Sequence, residues 1–221
     1  MIWCGRKKPR NGEGKGTVKR KTVYLIRHGQ PETGFGQESV CLGRKDVPLS
    51  QEGRSQASRL GSFFLREWAE QPALIFTSPL QRCVRTAQIM VGAAGWKKTE
   101  IRTVDGFTEV DTGIWDGLPF TRIRKQYPQA WAERGAHMGS FRIPGGETLQ
   151  EAGTRFLAAL RRVLSENGDE RILVVSHAGV IRACLCLLEG KDMDGALDYK
   201  IPYGGVMVVE VDSLGGRRDL K

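Results

Sequence analysis

Several things are scarce in this chain of 221 residues, and each gap narrows what it can be. No apolar run approaches the roughly 18 residues that a membrane-spanning helix needs, so no membrane partner is expected. Met1 to Arg10 holds no apolar stretch ending in a small-residue cleavage site, so no secretory signal is read there. Five cysteines, Cys4, Cys41, Cys83, Cys184 and Cys186, make an odd number with no C-x-x-C pair. Those spacings suit neither a disulfide framework nor a zinc site. Cys184 and Cys186 sit two apart in an apolar run and are expected to pack in a core. Reduced thiols without a signal point to the cytoplasm. There is no internal repeat.

Charge is present in excess but in one place. The net charge is +9, yet residues 1–21 carry eight basic side chains against the single acid Glu13. That segment accounts for +7 and leaves +2 for the other 200 residues. It is expected to be a disordered basic tail, too poor in apolar surface to fold alone. No aromatic residue follows Trp3 among its charges, so a nucleic-acid partner is not expected. Residues 22–221 are read as one domain.

Within that domain, strands and helices alternate. Thr22–Arg27, Ala73–Thr77 and Arg171–Ser176 are apolar, β-prone runs of the kind buried on both faces of a sheet. Ile101–Val104 and Gly205–Val211 read as further strands. Helices are expected over Gln51–Trp68 behind Ser50, from Ser78 to about Val91, over Thr148–Glu166, and over Val180–Leu188. Ser78-Pro79-Leu80-Gln81 and Thr148–Glu151 both read as capping boxes. Gly113–Gly146 reads as loops with one short helix near Phe120–Tyr127. The pattern predicts an α/β fold, a three-layer sandwich with a mostly parallel central sheet flanked by helices.

In such a sheet, ligands bind beyond the carboxyl ends of the strands. Arg27-His28-Gly29 follows the first strand, Arg82 opens the helix after the second, and His177-Ala178-Gly179 follows the third. One rim therefore gathers Arg, His, Arg and His, which is an anion site. A neutral imidazole there is a nucleophile toward phosphorus, and arginines offset the charge that builds on the phosphoryl oxygens. Their charge is expected to keep His28 neutral near pH 7. A leaving alkoxide needs a proton, and Glu109 is the candidate donor, with Asp111 two residues away.

The motifs then resemble a known family. Arg27-His28-Gly29, Asp46-x-Pro48-Leu49-Ser50-x-x-Gly53, Ser78-Pro-Leu-Gln-Arg82-Cys-Val-Arg85-Thr86, Glu109-x-x-x-Gly113-x-Trp115-x-Gly117, Pro144-Gly-Gly146-Glu147-Thr148 and Val175-Ser176-His177-Ala178-Gly179 are similar, in order, to the blocks of the histidine phosphatase (phosphoglycerate mutase-like) superfamily. The resemblance implies that His28 is the phosphorylated nucleophile and that Arg27, Arg82 and His177 form the phosphate pocket. It implies Glu109 as general acid, then base, with Gly29, Gln30, Gly43 and Ala178 near the substrate. It implies no metal or other cofactor, and a small phosphorylated substrate as partner. Many members carry Ser or Thr just after the first motif and an Asn beyond; here the stretch reads Gln30-Pro31-Glu32-Thr33-Gly34. Mutases of the superfamily carry a longer, more basic insert after the acid block. The compact segment from Glu109 to His177 therefore favours a phosphatase, although Arg122, Arg124 and Lys125 lie within it. Gly43-Arg-x-Asp46-x-Pro48-Leu49-Ser50 looks like the α-ribazole phosphatase branch.

Overall fold

The computed structural model describes residues 20–36 and 38–212. All but two residues of the basic segment lie outside them, as do the last nine residues of the chain. The two that remain belong to the sheet. The first strand, β1, runs Arg20–Arg27 and so begins two residues earlier than its apolar pattern suggests. Lys21 is buried there, with its ammonium on the carbonyls of Asn167 and Asp169.

In chain order there follow β2 (Val40–Cys41), α1 (Gln51–Glu67), β3 (Leu74–Thr77), α2 (Gln81–Ala94), β4 (Glu100–Thr103) and β5 (Leu118–Pro119). Then come α3 (Phe120–Gln126), α4 (Pro128–Ala136), α5 (Leu149–Glu166), β6 (Arg171–Ser176), α6 (Ala178–Glu189) and β7 (Val206–Asp212). The main sheet has the order β4-β3-β6-β1-β7, parallel throughout except for β7, which returns antiparallel along β1. β2 and β5 form a separate two-stranded ribbon.

The central strand β6 shows why this is a three-layer sandwich. Ile172 and Val174 enter a core with α5 and α6, while Leu173 and Val175 enter another with α1 and α2. A strand with both faces covered must be apolar at every position, which is the pattern Arg171–Ser176 carries. Cys184 and Cys186 are buried in these packed layers, as their apolar setting predicts. A third, smaller core lies outside the sheet. Trp115, Ile123, Ile143 and Cys41 form it, with Tyr127, Trp131 and Phe141 against them. Trp115 and Trp131 are thus packing residues. This core carries α4, a helix that the loop reading of Gly113–Gly146 omitted.

The start of α2 also differs from expectation. Ser78 does not cap it and Gln81 closes no capping box; the helix begins at Gln81, behind Leu80. Its first amide instead donates to the carboxylate of Asp46, at 2.9 Å, from a loop 35 residues earlier. By contrast, Ser50 caps α1, and Thr148 with Glu151 forms the expected box on α5.

Candidate active site

Sheet register delivers the predicted cluster. Arg27 pairs with Ser176 across β1 and β6, and Thr77 pairs with Val175 across β3 and β6. His28, His177 and Ser78, each one residue further on, therefore leave three adjacent strands side by side. The amide of His28 closes onto the Ser176 carbonyl at 2.9 Å, and that of Ser78 onto the Val175 carbonyl at 2.9 Å. The two imidazoles meet edge to face, with centroids 5.0 Å apart. Ser78 is absent from the helix cap because its hydroxyl lies 2.8 Å from Nε2 of His177.

His28 is almost fully buried, and its Nδ1 lies 2.6 Å from the Gly29 carbonyl. A carbonyl can only accept, so Nδ1 carries the proton and Nε2 keeps the lone pair. Burial, then the charges of Arg82 and Arg27, holds the His28 pKa well below its usual 6.5. His177 is lowered likewise, by burial first and Arg82 second. Both imidazoles are neutral near pH 7, as the arginine argument predicts for His28.

Each arginine is tied down so that one edge stays open. Arg82, fully buried, donates through Nη2 to the Gly43 carbonyl at 2.6 Å and through Nη1 to that of Lys45 at 2.9 Å. Arg27 donates through Nη1 to the Ile201 carbonyl at 2.7 Å, and its guanidinium lies 3.7 Å from the Tyr203 ring centroid. In both, Nε is buried without a partner. Two desolvated donors at one rim are what an oxyanion would satisfy.

Glu109 stands against the start of α6, just after His177. Its carboxylate accepts from the backbone amides of Val110, Gly179 and Val180, the last two in the first turn of α6. Arg155 braces the loop behind it, donating to the carbonyls of Gly106, Thr108 and Glu109 while pairing with Glu147 at 2.6 Å. Asp111 takes no part in this carboxylate site. It accepts from the Gly113 amide and pairs with Arg44.

A cavity of about 480 Å³ meets the cluster at Arg27, with Gln30, Glu109 and Ala178 also on its wall, while His28, Arg82 and His177 are not among its lining residues. Gly29 and Gly43 stand behind the wall. Gly29 fixes His28 through its carbonyl and donates its amide to Thr86, and Gly43 anchors Arg82. Thr33 reaches the cavity, from the stretch that departs from the usual motif. Arg85 is exposed and bonds to Gln88, and His137 is exposed outside the wall. Arg122, Arg124 and Lys125 are likewise exposed and off the wall. Motif reading used Ser78 only as the start of a helix, and it did not single out Thr86, Arg155 or Tyr203 as parts of this site. Thr86 and Ser78 stand inside the Arg82 block, where a small hydroxyl beside a basic group was the available signal.

A model of the histidine phosphatase superfamily (branch 1) matches residues 23–219. The chain belongs to this superfamily. Phosphoglycerate mutase-like protein 4 of Arabidopsis thaliana is 33% identical over 162 residues, covering 73% of this chain and 68% of its own. Phosphoserine phosphatase 1 of Hydrogenobacter thermophilus is 31% identical over 193 residues, covering 86% of each chain. Among solved structures, a mycobacterial glucosyl-3-phosphoglycerate phosphatase superposes with a TM-score of 0.75 at 22% identity, over 90% of this chain and 95% of its own. As a histidine phosphatase relative, the protein carries the α/β sandwich of that neighbour. Among the described residues, no helix is long and apolar enough to cross a membrane.

Proposed function

We propose that the protein is a metal-independent phosphatase that hydrolyses a small phosphomonoester through a phosphohistidine at His28. The observation that carries this reading is the neutral His28, its Nε2 free, beside two arginines with unpartnered Nε–H groups. In the first step Nε2 attacks phosphorus, the bond to the leaving oxygen breaks, and Glu109 gives that oxygen a proton. Arg27, Arg82 and His177 hold the phosphoryl oxygens, and the positive charge of the two arginines offsets what develops there. In the second step Glu109, now a carboxylate, takes a proton from water. The hydroxide oxygen bonds to phosphorus, the N–P bond breaks, and inorganic phosphate leaves with His28 restored. The arginines supply the charge compensation a magnesium ion gives in other phosphoryl transferases.

A phosphatase is preferred to a mutase because the segment from Glu109 to His177 is compact, and three of its basic residues, Arg122, Arg124 and Lys125, lie on the exposed side of α3. α-Ribazole 5′-phosphate is one candidate substrate. The stretch behind that likeness works mainly on the fold, since Gly43 anchors Arg82, Asp46 meets α2 and Ser50 caps α1. All four described cysteines are buried free thiols, as suits a cytoplasmic protein.

The test is phosphate release from p-nitrophenyl phosphate at pH 5–8 with EDTA present, for wild type and His28→Ala. Wild type should turn over, with a phosphorylated His28 peptide seen by mass spectrometry after rapid quench. His28→Ala should lose at least about a thousandfold in kcat, the scale of removing a covalent nucleophile. Turnover that survives in His28→Ala sinks the mechanism. Phosphoglycerate isomerisation without net hydrolysis would replace it with the mutase reading.

A further inference from the structure

The cavity wall can be sorted by what its charges already touch. Six charged side chains line it among the described residues: Arg27, Glu38, Glu109, Arg134, Glu147 and Arg182. Glu109 is held by three backbone amides, and Glu147 by Arg155 and Arg44. Glu38 bonds to the Thr121 hydroxyl. Arg27 is fixed on the Ile201 carbonyl, and Arg182 donates through Nε to the Tyr199 carbonyl at 2.9 Å. Arg134 is different: among the described residues it makes no hydrogen bond and no ion pair. It stands in the last turn of α4, on the part of the wall built by the small outer core rather than by the sheet.

Its surroundings give it little else. It is half-buried on the cavity wall, and that partial burial lowers its pKa while leaving it a cation. The titratable group it faces is Cys41, a buried thiol pushed up to about 11 and therefore neutral. The rest of the wall beside it is apolar, with Phe120, Met138, Phe141 and Ile143. A half-exposed guanidinium that lines a cavity and has no protein partner keeps its donors free for an anion bound there. The helix terminus offers only a partial negative charge, worth a fraction of what an ion pair supplies.

We infer that Arg134 is a specificity residue that receives a second anionic group of the substrate, carboxylate or phosphate, across an apolar body that lies against Phe120, Phe141 and Ile143. The preferred substrates are then acidic phosphomonoesters with an apolar middle. This rests on the phosphatase reading above, in which the first phosphate sits between His28 and the arginines. The division of labour follows from position: the sheet rim performs the chemistry, and the outer core chooses the molecule.

The experiment measures kcat and KM for matched aryl phosphates: 4-methylphenyl phosphate, 4-carboxyphenyl phosphate, 3-(4-phosphonooxyphenyl)propanoate and 1,4-phenylene bisphosphate. α-Ribazole 5′-phosphate, which has no second anionic group, is a further comparison. Each is assayed with wild type, Arg134→Met and Arg134→Glu, with thermal melts to show that the variants fold. Wild type should favour at least one doubly anionic ester over the methyl compound by about tenfold in kcat/KM, carried mainly by KM. The carboxylated and bisphosphate esters identify which second anion is read. Arg134→Met should bring that ratio close to one, and Arg134→Glu should reverse it. A wild type with no such preference, one that prefers α-ribazole 5′-phosphate to every doubly anionic ester, or a preference that survives Arg134→Met would overturn the inference. Failure of the phosphatase reading shows separately, as no hydrolysis of any ester, the methyl compound included.

Discussion

His28 and His177 are the two side chains whose state the protein controls most strictly. Both are buried and both titrate well below 6.5 when folded. The sign of the consequence follows directly. Below about pH 6.5 the unfolded chain takes up protons at these sites while the folded one does not, so acid favours unfolding. Above that pH both states are neutral there and the contribution is flat. Each histidine should cost up to about 1.4 kcal/mol of stability per pH unit below 6.5, until its folded pKa is reached. Urea unfolding at pH 7.5 and 5.5 should show this loss, and His28→Asn should show a shallower one. An unchanged pH dependence in that variant would mean His28 is not the group held neutral. At this scale the sequence was informative. Arg27, His28, Arg82 and His177 stand where strand ends were expected to put them, and Glu109, read from its own motif block, meets the first turn of α6 beside them. Ser78 was not legible, because a serine before Pro79 reads equally as a helix cap and only the approach of His177 decides its use.

Between elements, distant loops complete one another. The first amide of α2 is met by Asp46, and the same loop supplies the Gly43 and Lys45 carbonyls that hold Arg82. Asp46→Ala should therefore cost about 1 kcal/mol, the usual worth of a lost cap. It should also lower kcat/KM, because the anchor of Arg82 loosens with the loop. Asp46→Asn should recover most of both, since an amide oxygen still accepts. Denaturant midpoints and kinetics on the three proteins check this; full activity in Asp46→Ala would separate the cap from the arginine. The glycines of the motif blocks belong to this scale too. A side chain at Gly29 would strike the backbone of Gly53, and one at Gly53 would strike that of Gln30. Two blocks that look independent along the chain are two halves of one close crossing. The helix at Pro128–Ala136 went unread because its residues lack a strong apolar stripe and none of them is buried, although Pro128 at its first position was a signal.

Across the whole molecule, the order β4-β3-β6-β1-β7 is what turns scattered motifs into one site. Putting β6 between β1 and β3 sets His177 between His28 and Ser78, from three segments far apart in the chain. Arg155 gives the long-range counterpart on the acid side, tying α5 to three carbonyls around Glu109 and to Glu147. Arg155→Met should leave Glu147 with only Arg44 and the Asp111 amide and release that loop, costing about 1–3 kcal/mol. It should reduce kcat and shift the acidic limb of the pH–rate profile; a stability loss with an unmoved profile would leave Arg155 a purely structural brace.

The sequence by itself determined the layers, the two histidines at one rim and the charge around them. Buried strands must be apolar on both faces, and strand ends of a parallel sheet must share a rim. Only the tertiary structure decided which hydroxyl meets His177, which carboxylate meets α2, and which guanidinium is left unpartnered on the cavity wall. Those outcomes depend on contacts between segments far apart in the chain, and spacing within a segment carries no record of them.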